Sequence, residues 1–211
     1  MRLAPGLLMM SMSTVAALSK GTALITGATD GIGKLTSQLL AKEGYAVLLH
    51  GRSPERLEAA RQSILRATPA AVIETYCYDL STIASTKQFA LDVLSKHPGG
   101  GEAATSPTPT PSPNPYPGLD ILVQNAGILQ PPSGTRELTP DGLEKTFAVN
   151  VAAPWVLACL LRPALLRTPN SRMLMVSSIS QSDGGRLDVT NLQFSREYDA
   201  YLAYGQVGAI P

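Results

Sequence analysis

The sequence has 211 residues, 44% of them hydrophobic and 16% charged, with a formal net charge of +1. That length suits one domain with a substantial core, and that balance excludes a disordered chain and gives no electrostatic reason to expect nucleic acid or an anionic membrane as a partner. Two histidines and two cysteines, widely scattered, form no metal-ligand spacing, and Cys77 and Cys159 read as a reduced, buried pair rather than a disulfide.

Residues 1–20 read as an N-terminal extension, and 21–211 as one domain. The extension is apolar from Leu3 to Met10, and no acidic residue precedes Asp30. It is too short and broken to span a membrane. It admits two readings, a targeting peptide or a plain extension, and leaves the compartment open between cytoplasm and organelle.

From Thr22 the chain alternates apolar strands with helical patterns. Thr22–Ile25 reads as a buried strand. The glycine-rich turn Thr26–Gly33 follows it and opens a helical segment, Lys34–Lys42, with Leu35, Leu39 and Leu40 at helical spacing. A strand, a glycine turn and a helix make a phosphate site, because the glycines admit close backbone approach and the helix N-terminus presents free N–H groups. Tyr45–His50 is a second strand. Ser53-Pro54-Glu55 starts a helix, with Ser as cap and Pro in the first turn, running to about Arg66. Ala71–Tyr78 is a third strand, and a helix follows over Ser81–Lys96. Residues 98–118, dense in Pro, Gly, Ser and Thr, read as a solvated spacer that interrupts the domain; a PxxP ligand is the alternative. Asp120–Gln124 is a fourth strand. Thr139-Pro140 marks the start of a long helix to about Leu166, loosened near Pro154. Met173–Val176 is a fifth strand, and a last helix begins near Asp199. Apolar strands joined by helices predict an α/β fold, a doubly wound, Rossmann-like parallel sheet buried on both faces, with ligands at the carboxyl ends of its strands.

Cofactor choice is legible at the end of the second strand. An acidic residue there would bond the ribose hydroxyls of NAD, but the chain reads His50-Gly51-Arg52-Ser53. Arg52 suits a 2′-phosphate, so NADP(H) is favoured over NAD(H), although Asp30 places a negative charge in the phosphate loop.

Several short motifs stand in order along these elements: the TGxxxGIG turn of Thr26–Gly33, Asp79-Leu80, Asn125-Ala126-Gly127, Asn150 within Phe147–Val151, Val176-Ser177-Ser178, and Ala203-Tyr204-Gly205-Gln206. Together they resemble the short-chain dehydrogenase/reductase family. The run from Val176 through Asn191-Leu192-Gln193 to Gln206 is similar to its retinol-dehydrogenase-like members and to WW-domain-containing oxidoreductases. The resemblance implies hydride transfer between a nicotinamide and a small alcohol or carbonyl substrate. It implies a cofactor site of Gly27, Thr29, Asp30, Gly31, Ile32, Gly33, Arg52, Asp79, Leu80, Asn125, Ala126, Gly127 and Tyr204. It implies Tyr204 as general acid/base, Ser178 as donor to the substrate oxygen, and Asn150 as holder of a water.

The chain departs from that pattern near its end. The resemblance calls for a Lys four residues after Tyr204, where Gly208 stands, and the family-like stretch stops at Val207. A truncated isoform, a retained intron or a gene-model error each fit this break. The resemblance implies that the final strands and helices are lacking, together with the helices of a family-type homo-oligomer, so that the fifth strand becomes an exposed edge. Two functional readings follow: an oxidoreductase impaired at its chemical step, or a catalytically inactive nucleotide-binding or interaction protein.

Overall fold

A computed structural model describes residues 19–98, 118–131, 134–182 and 187–208. The readings made for residues 1–18 and for nearly all of the Pro-rich segment lie outside the described residues.

Five strands, β1 (Thr22–Ile25), β2 (Ala46–Gly51), β3 (Ile73–Cys77), β4 (Ile121–Gln124) and β5 (Arg172–Met175), form one sheet in the order β3-β2-β1-β4-β5. All pairings are parallel. The helices are α1 (Gly31–Lys42), α2 (Pro54–Ala67), α3 (Ile83–Lys96), the short α4 (Lys145–Phe147), α5 (Ala153–Leu166) and α6 (Ala200–Gly208).

Strand side chains alternate between the two faces. Ala23, Ile25, Val47, Leu49 and Val123 share one core with Ala41 of α1 and with Leu57 and Ile64 of α2. Leu24, Leu48, Tyr76 and Leu122 share the other with Phe89 and Val93 of α3 and with Leu157 and Leu161 of α5. The sheet is therefore covered by helices on both sides, the doubly wound arrangement that the sequence predicts.

Caps fix the starts of two long helices. Ser53 accepts the Arg56 N–H and Thr82 accepts the Ser85 N–H.

Three expectations change. Leu35 and Leu39 face solvent, and α1 instead buries Gly33, Ser37 and Ala41. Small residues there let the helix sit close to the sheet beneath the glycine turn. The predicted helix start at Thr139-Pro140 is a turn, in which the Gly142 N–H donates to Thr139 O and Gly142 takes φ +75°. The helix begins at Lys145, and Glu144 is its cap, accepting the Phe147 N–H at 2.7 Å. Cys77 and Cys159 are free but exposed, because Cys77 lies on the edge strand β3 and Cys159 on the outer face of α5. As expected for the edge of the sheet, β5 is exposed along its length, with Met173, Leu174 and Met175 each about half accessible.

The run Lys145–Leu166 is long and apolar enough to cross a membrane by length and composition. Its Leu157, Leu161 and Ala164 are fully buried against the sheet, which accounts for that character as a core helix.

Candidate active site

The carboxyl ends of all five strands open on one side of the sheet. The chain leaves β1 at Thr26, β2 at Arg52, β3 at Tyr78, β4 at Asn125 and β5 at Val176. The order changes direction between β1 and β4, the switch point at which doubly wound sheets open a crevice. Two cavities fill it. The first, of about 630 Å³, is lined by Gly27, Thr29, Asp30, Gly31, Arg52, Asp79, Leu80, Asn125, Ala126 and Gly127, among others. The second, of about 730 Å³, is lined by Ile32, Asn150, Ser178 and Tyr204, among others. They share Gly31 and Asn125–Ile128, so they form one cleft with two ends.

The glycine turn is held from three sides. Thr26 Oγ1 accepts the N–H groups of Asn125 and Ala126, both at 3.0 Å. Asn125 Nδ2 donates to Thr26 O and Gly27 O. The Asn125 amide therefore ties the turn after β1 to the turn after β4. Gly27 has φ +64°, and a Cβ there would stand 2.9 Å from Ala126 Cα. Gly31 has φ +50° and nothing within 4 Å of where its Cβ would be, so its place at the cleft is open. Gly33 lines neither cavity; a Cβ on it would collide with Gly27 O and Asn125 Nδ2. It serves close packing of α1 rather than contact with a ligand. Two glycines in left-handed conformation and one open cradle at a helix N-terminus fit a pyrophosphate.

His50, read in the sequence only as a strand end, is the third support. Gly27 N–H donates to its Nδ1 at 3.3 Å, which makes Nδ1 the acceptor, so Nε2–H donates to Tyr78 O at 3.1 Å. The ring stacks on Phe89 with centroids 4.6 Å apart. Burial pushes its pKa down to about 4, against partial support for the charged form from Tyr78 O and the Asp79 charge. The neutral tautomer is the one that the glycine turn needs.

At the end of the cleft beside β2 and β3, Asp79 Oδ1 accepts the Ser81 N–H at 2.9 Å, shaping the turn after β3. Arg52 and Ser53 follow β2 directly, and Arg56 joins them in the lining.

At the other end, Asn150 sits in a π-helical segment, Ala148–Ala152. Its Oδ1 accepts the Ile128 N–H at 2.8 Å and its Nδ2 donates to Ile128 O at 2.9 Å. Both ends of the side chain are therefore taken by backbone. The main chain offers something instead. The Ala153 N–H reaches back to Ala148 O, and Pro154 has no N–H. The carbonyls of Val149 and Asn150 lose the partners that residues 153 and 154 would supply in an α-helix.

Ser178 Oγ accepts the Ser180 N–H at 3.2 Å and lies 3.2 Å from Ser180 Oγ. Ser177 Oγ donates to Gly208 O at 2.9 Å, joining the end of β5 to the end of α6. Tyr204 lies on α6, half-buried in the cavity wall. That helix is positioned through a polar cluster beneath the cleft. Buried Glu144 takes the Tyr198 hydroxyl at 3.3 Å, and the Glu144 N–H donates to Gln193 Oε1. Burial and the Glu144 charge push the Tyr198 hydroxyl up to about 12. No cation lines this second cavity among the described residues.

Known proteins resemble the chain in sequence and in fold. A family model described as short chain dehydrogenase matches residues 21–100 and 112–187. Retinol dehydrogenase 13 of Homo sapiens is 30% identical over 186 residues, covering 88% of this chain and 49% of its own length. Dehydrogenase/reductase SDR family member 13 of Bos taurus is 36% identical over 178 residues, covering 84% of this chain and 41% of its own. The chain thus spans about half the length of the curated relatives it matches. Among solved structures, an uncharacterized protein from Mycobacterium paratuberculosis superposes with a TM-score of 0.68 at 29% identity, over 92% of this chain and 60% of that one. A short chain dehydrogenase from Shigella flexneri, solved with NADP, shares the fold with a TM-score of 0.64 at 24% identity, over 91% of this chain and 67% of that one.

Proposed function

The chain belongs to the short-chain dehydrogenase/reductase family, and on that premise we propose that its cleft holds NADP(H) and serves reversible oxidation of a small alcohol or reduction of a carbonyl. The observation that carries this reading is the convergence of one cleft on the glycine turn at one side and on Ser178 and Tyr204 at the other. When bound, the nicotinamide dinucleotide supplies or takes up the hydride. Gly27, Thr29, Asp30, Gly31 and Ile32 would face its pyrophosphate, with Gly33 and Asn125 setting their position. Asp79 and Leu80 would border the adenine, beside Ala126 and Gly127. Arg52, with no acid at the end of β2, would take a 2′-phosphate.

The rest of the chemistry falls to the chain's own side chains. The Tyr204 hydroxyl gives a proton to the carbonyl oxygen in reduction and takes it from the alcohol in oxidation. The Ser178 hydroxyl turns from Ser180 and donates to the same oxygen, where charge develops. A water that restores the Tyr204 proton would be held by the carbonyls of Val149 and Asn150, whose α-helical partners are lost, since the Asn150 amide is spent on Ile128. The Asn150 side chain is thus a positioning group.

One observation favours a second reading, a nucleotide-binding protein without turnover. Gly208 occupies the place of the expected Lys, and the described lining of the second cavity is without positive charge. A cation close to a phenol favours the phenolate, in general by about 1–3 pKa units at about 1.4 kcal/mol each. Titrating the chain with NADPH, then assaying a panel of alcohols and carbonyls, separates the two. Binding with turnover supports the first. Binding without turnover, with turnover gained in Gly208→Lys, supports the second for this chain; absence of dinucleotide binding refutes both.

A further inference from the structure

The reading above gives the 2′-phosphate to Arg52, but a second arginine lines the same end of the cleft. Arg56 lies one turn into α2, and its backbone N–H donates to Ser53 Oγ. Its Nη2 stands 3.1 Å from Asp30 Oδ2. Asp30 is the N-cap of α1, and its other oxygen accepts the Gly31 N–H at 2.8 Å. One carboxylate therefore has one oxygen on the phosphate turn and the other on an arginine of the next helix. Arg52, which lines the same cavity, has no ion-pair partner among the described residues.

We propose that Arg56 is a second ligand of the 2′-phosphate, and that Asp30 is its resident competitor, so that this pair sets how strongly the cleft prefers NADP(H) over NAD(H). The inference rests on the NADP(H) reading. The pair is exposed, at 56% and 82% of the two side chains, and exposed pairs of this kind are weak and readily exchanged. A phosphate monoester carries about two negative charges and three acceptor oxygens, against one charge on Asp30, and binds the planar fork of an arginine well. Arg52 and Arg56 together match its charge. When Arg56 turns to the phosphate, Asp30 is left without its counter-charge beside the phosphate turn. This subtracts from binding of the 2′-phosphorylated cofactor in particular. An acid in the phosphate turn, unhelpful by itself, thereby becomes a means of moderating the preference.

The test uses calorimetric titration of the 211-residue chain and of R52Q, R56Q and D30N with 2′,5′-ADP, 5′-AMP, NADPH and NADH. Asn caps helices as well as Asp does, so D30N removes the charge and keeps the cap. Losing one charge-assisted fork on phosphate corresponds to a loss of roughly tenfold. R56Q is therefore expected to weaken 2′,5′-ADP and NADPH about tenfold and to leave 5′-AMP and NADH unchanged. D30N is expected to tighten 2′,5′-ADP more than 5′-AMP. If R52Q abolishes the discrimination while R56Q leaves it intact, or if R56Q weakens both probes alike, the role of Arg56 is overturned and the NADP(H) reading stands. If the unaltered chain binds 2′,5′-ADP no better than 5′-AMP, both fall. Thermal melting of each variant checks that the fold is unchanged.

Discussion

Acid should loosen the glycine turn through His50, by an amount that the structure allows to be worked out. The folded-state pKa is about 4, against 6.5 for a solvated imidazole. The folded protein therefore binds the proton less readily than the unfolded chain does. Stability from this group is fully present above the unfolded value and is lost as pH falls from about 6.5 towards about 4. At about 1.4 kcal/mol per pKa unit, integration from about pH 7.5 down to about pH 5 gives a loss of roughly 2 kcal/mol. The structural event is specific. A protonated Nδ1 becomes a donor facing the Gly27 N–H, so the bond that holds the turn turns repulsive. Urea unfolding at a series of pH values measures this, with His50→Asn as the reference. Asn has no titration in this range but can still accept from Gly27. The exposed carboxylates whose pKa values lie low (Glu43, Glu55, Glu58) act at more acidic pH and are common to both proteins. The unaltered chain should lose about 2 kcal/mol more than His50→Asn over that interval, and dinucleotide affinity should fall with it. Parallel pH curves for the two proteins would falsify the argument.

Three further outcomes can be checked. Gly33→Ala should abolish dinucleotide binding and cost about 1–3 kcal/mol, because its methyl meets Gly27 O and Asn125 Nδ2, while Gly31→Ala, with open space, should cost about 1–2 kcal/mol from its positive φ alone. A denaturation series in which the two variants cost the same sinks the packing role given to Gly33. Asn150→Ala strands the N–H and C=O of Ile128 and should lower stability by about 1–3 kcal/mol, visible in thermal melting; an unchanged melting temperature refutes the clamp. Replacing residues 99–117 with about six Gly/Ser residues should keep the fold and change stability by no more than about 1 kcal/mol. Pro98 O accepts from Arg167 and the Leu119 N–H donates to Thr168 Oγ1, so both ends rest on neighbouring residues. Loss of cooperative unfolding in that variant would show that the segment is needed.

The sheet was legible because four of its strands are apolar runs bounded by turn chemistry, and a buried parallel sheet demands such runs. The glycine turn was legible because φ above zero and close approach leave little choice of residue. Other features were hidden for physical reasons. Thr139-Pro140 imitates a helix start, while the true cap, Glu144, is not a residue type that caps often. Leu35 and Leu39 have helical spacing, yet the depth of α1 is set by Gly33, Ser37 and Ala41, whose small size is read only once the neighbouring turn is in place. The neutral state of His50 depends on Phe89 and Tyr78, which are remote in sequence. Asn150 was legible as important but not in its manner of acting, because that depends on Ile128 and on the missing N–H of Pro154. Arg56 was overlooked because its partner, Asp30, precedes it by 26 residues.

The seam at Asn125 has a dynamic consequence. The turns after β1 and β4 carry no regular secondary structure, yet the Asn125 and Ala126 N–H groups are both spent on Thr26 Oγ1, and Asn125 Nδ2 closes the other side. These amides can meet solvent only if the seam parts, and the seam lies over the centre of the sheet. They should therefore exchange hydrogen as slowly as amides of β1, and more slowly than the amide of the exposed turn residue Gly142. The floor of the cleft is then ordered before any ligand arrives, and binding there has little ordering left to do.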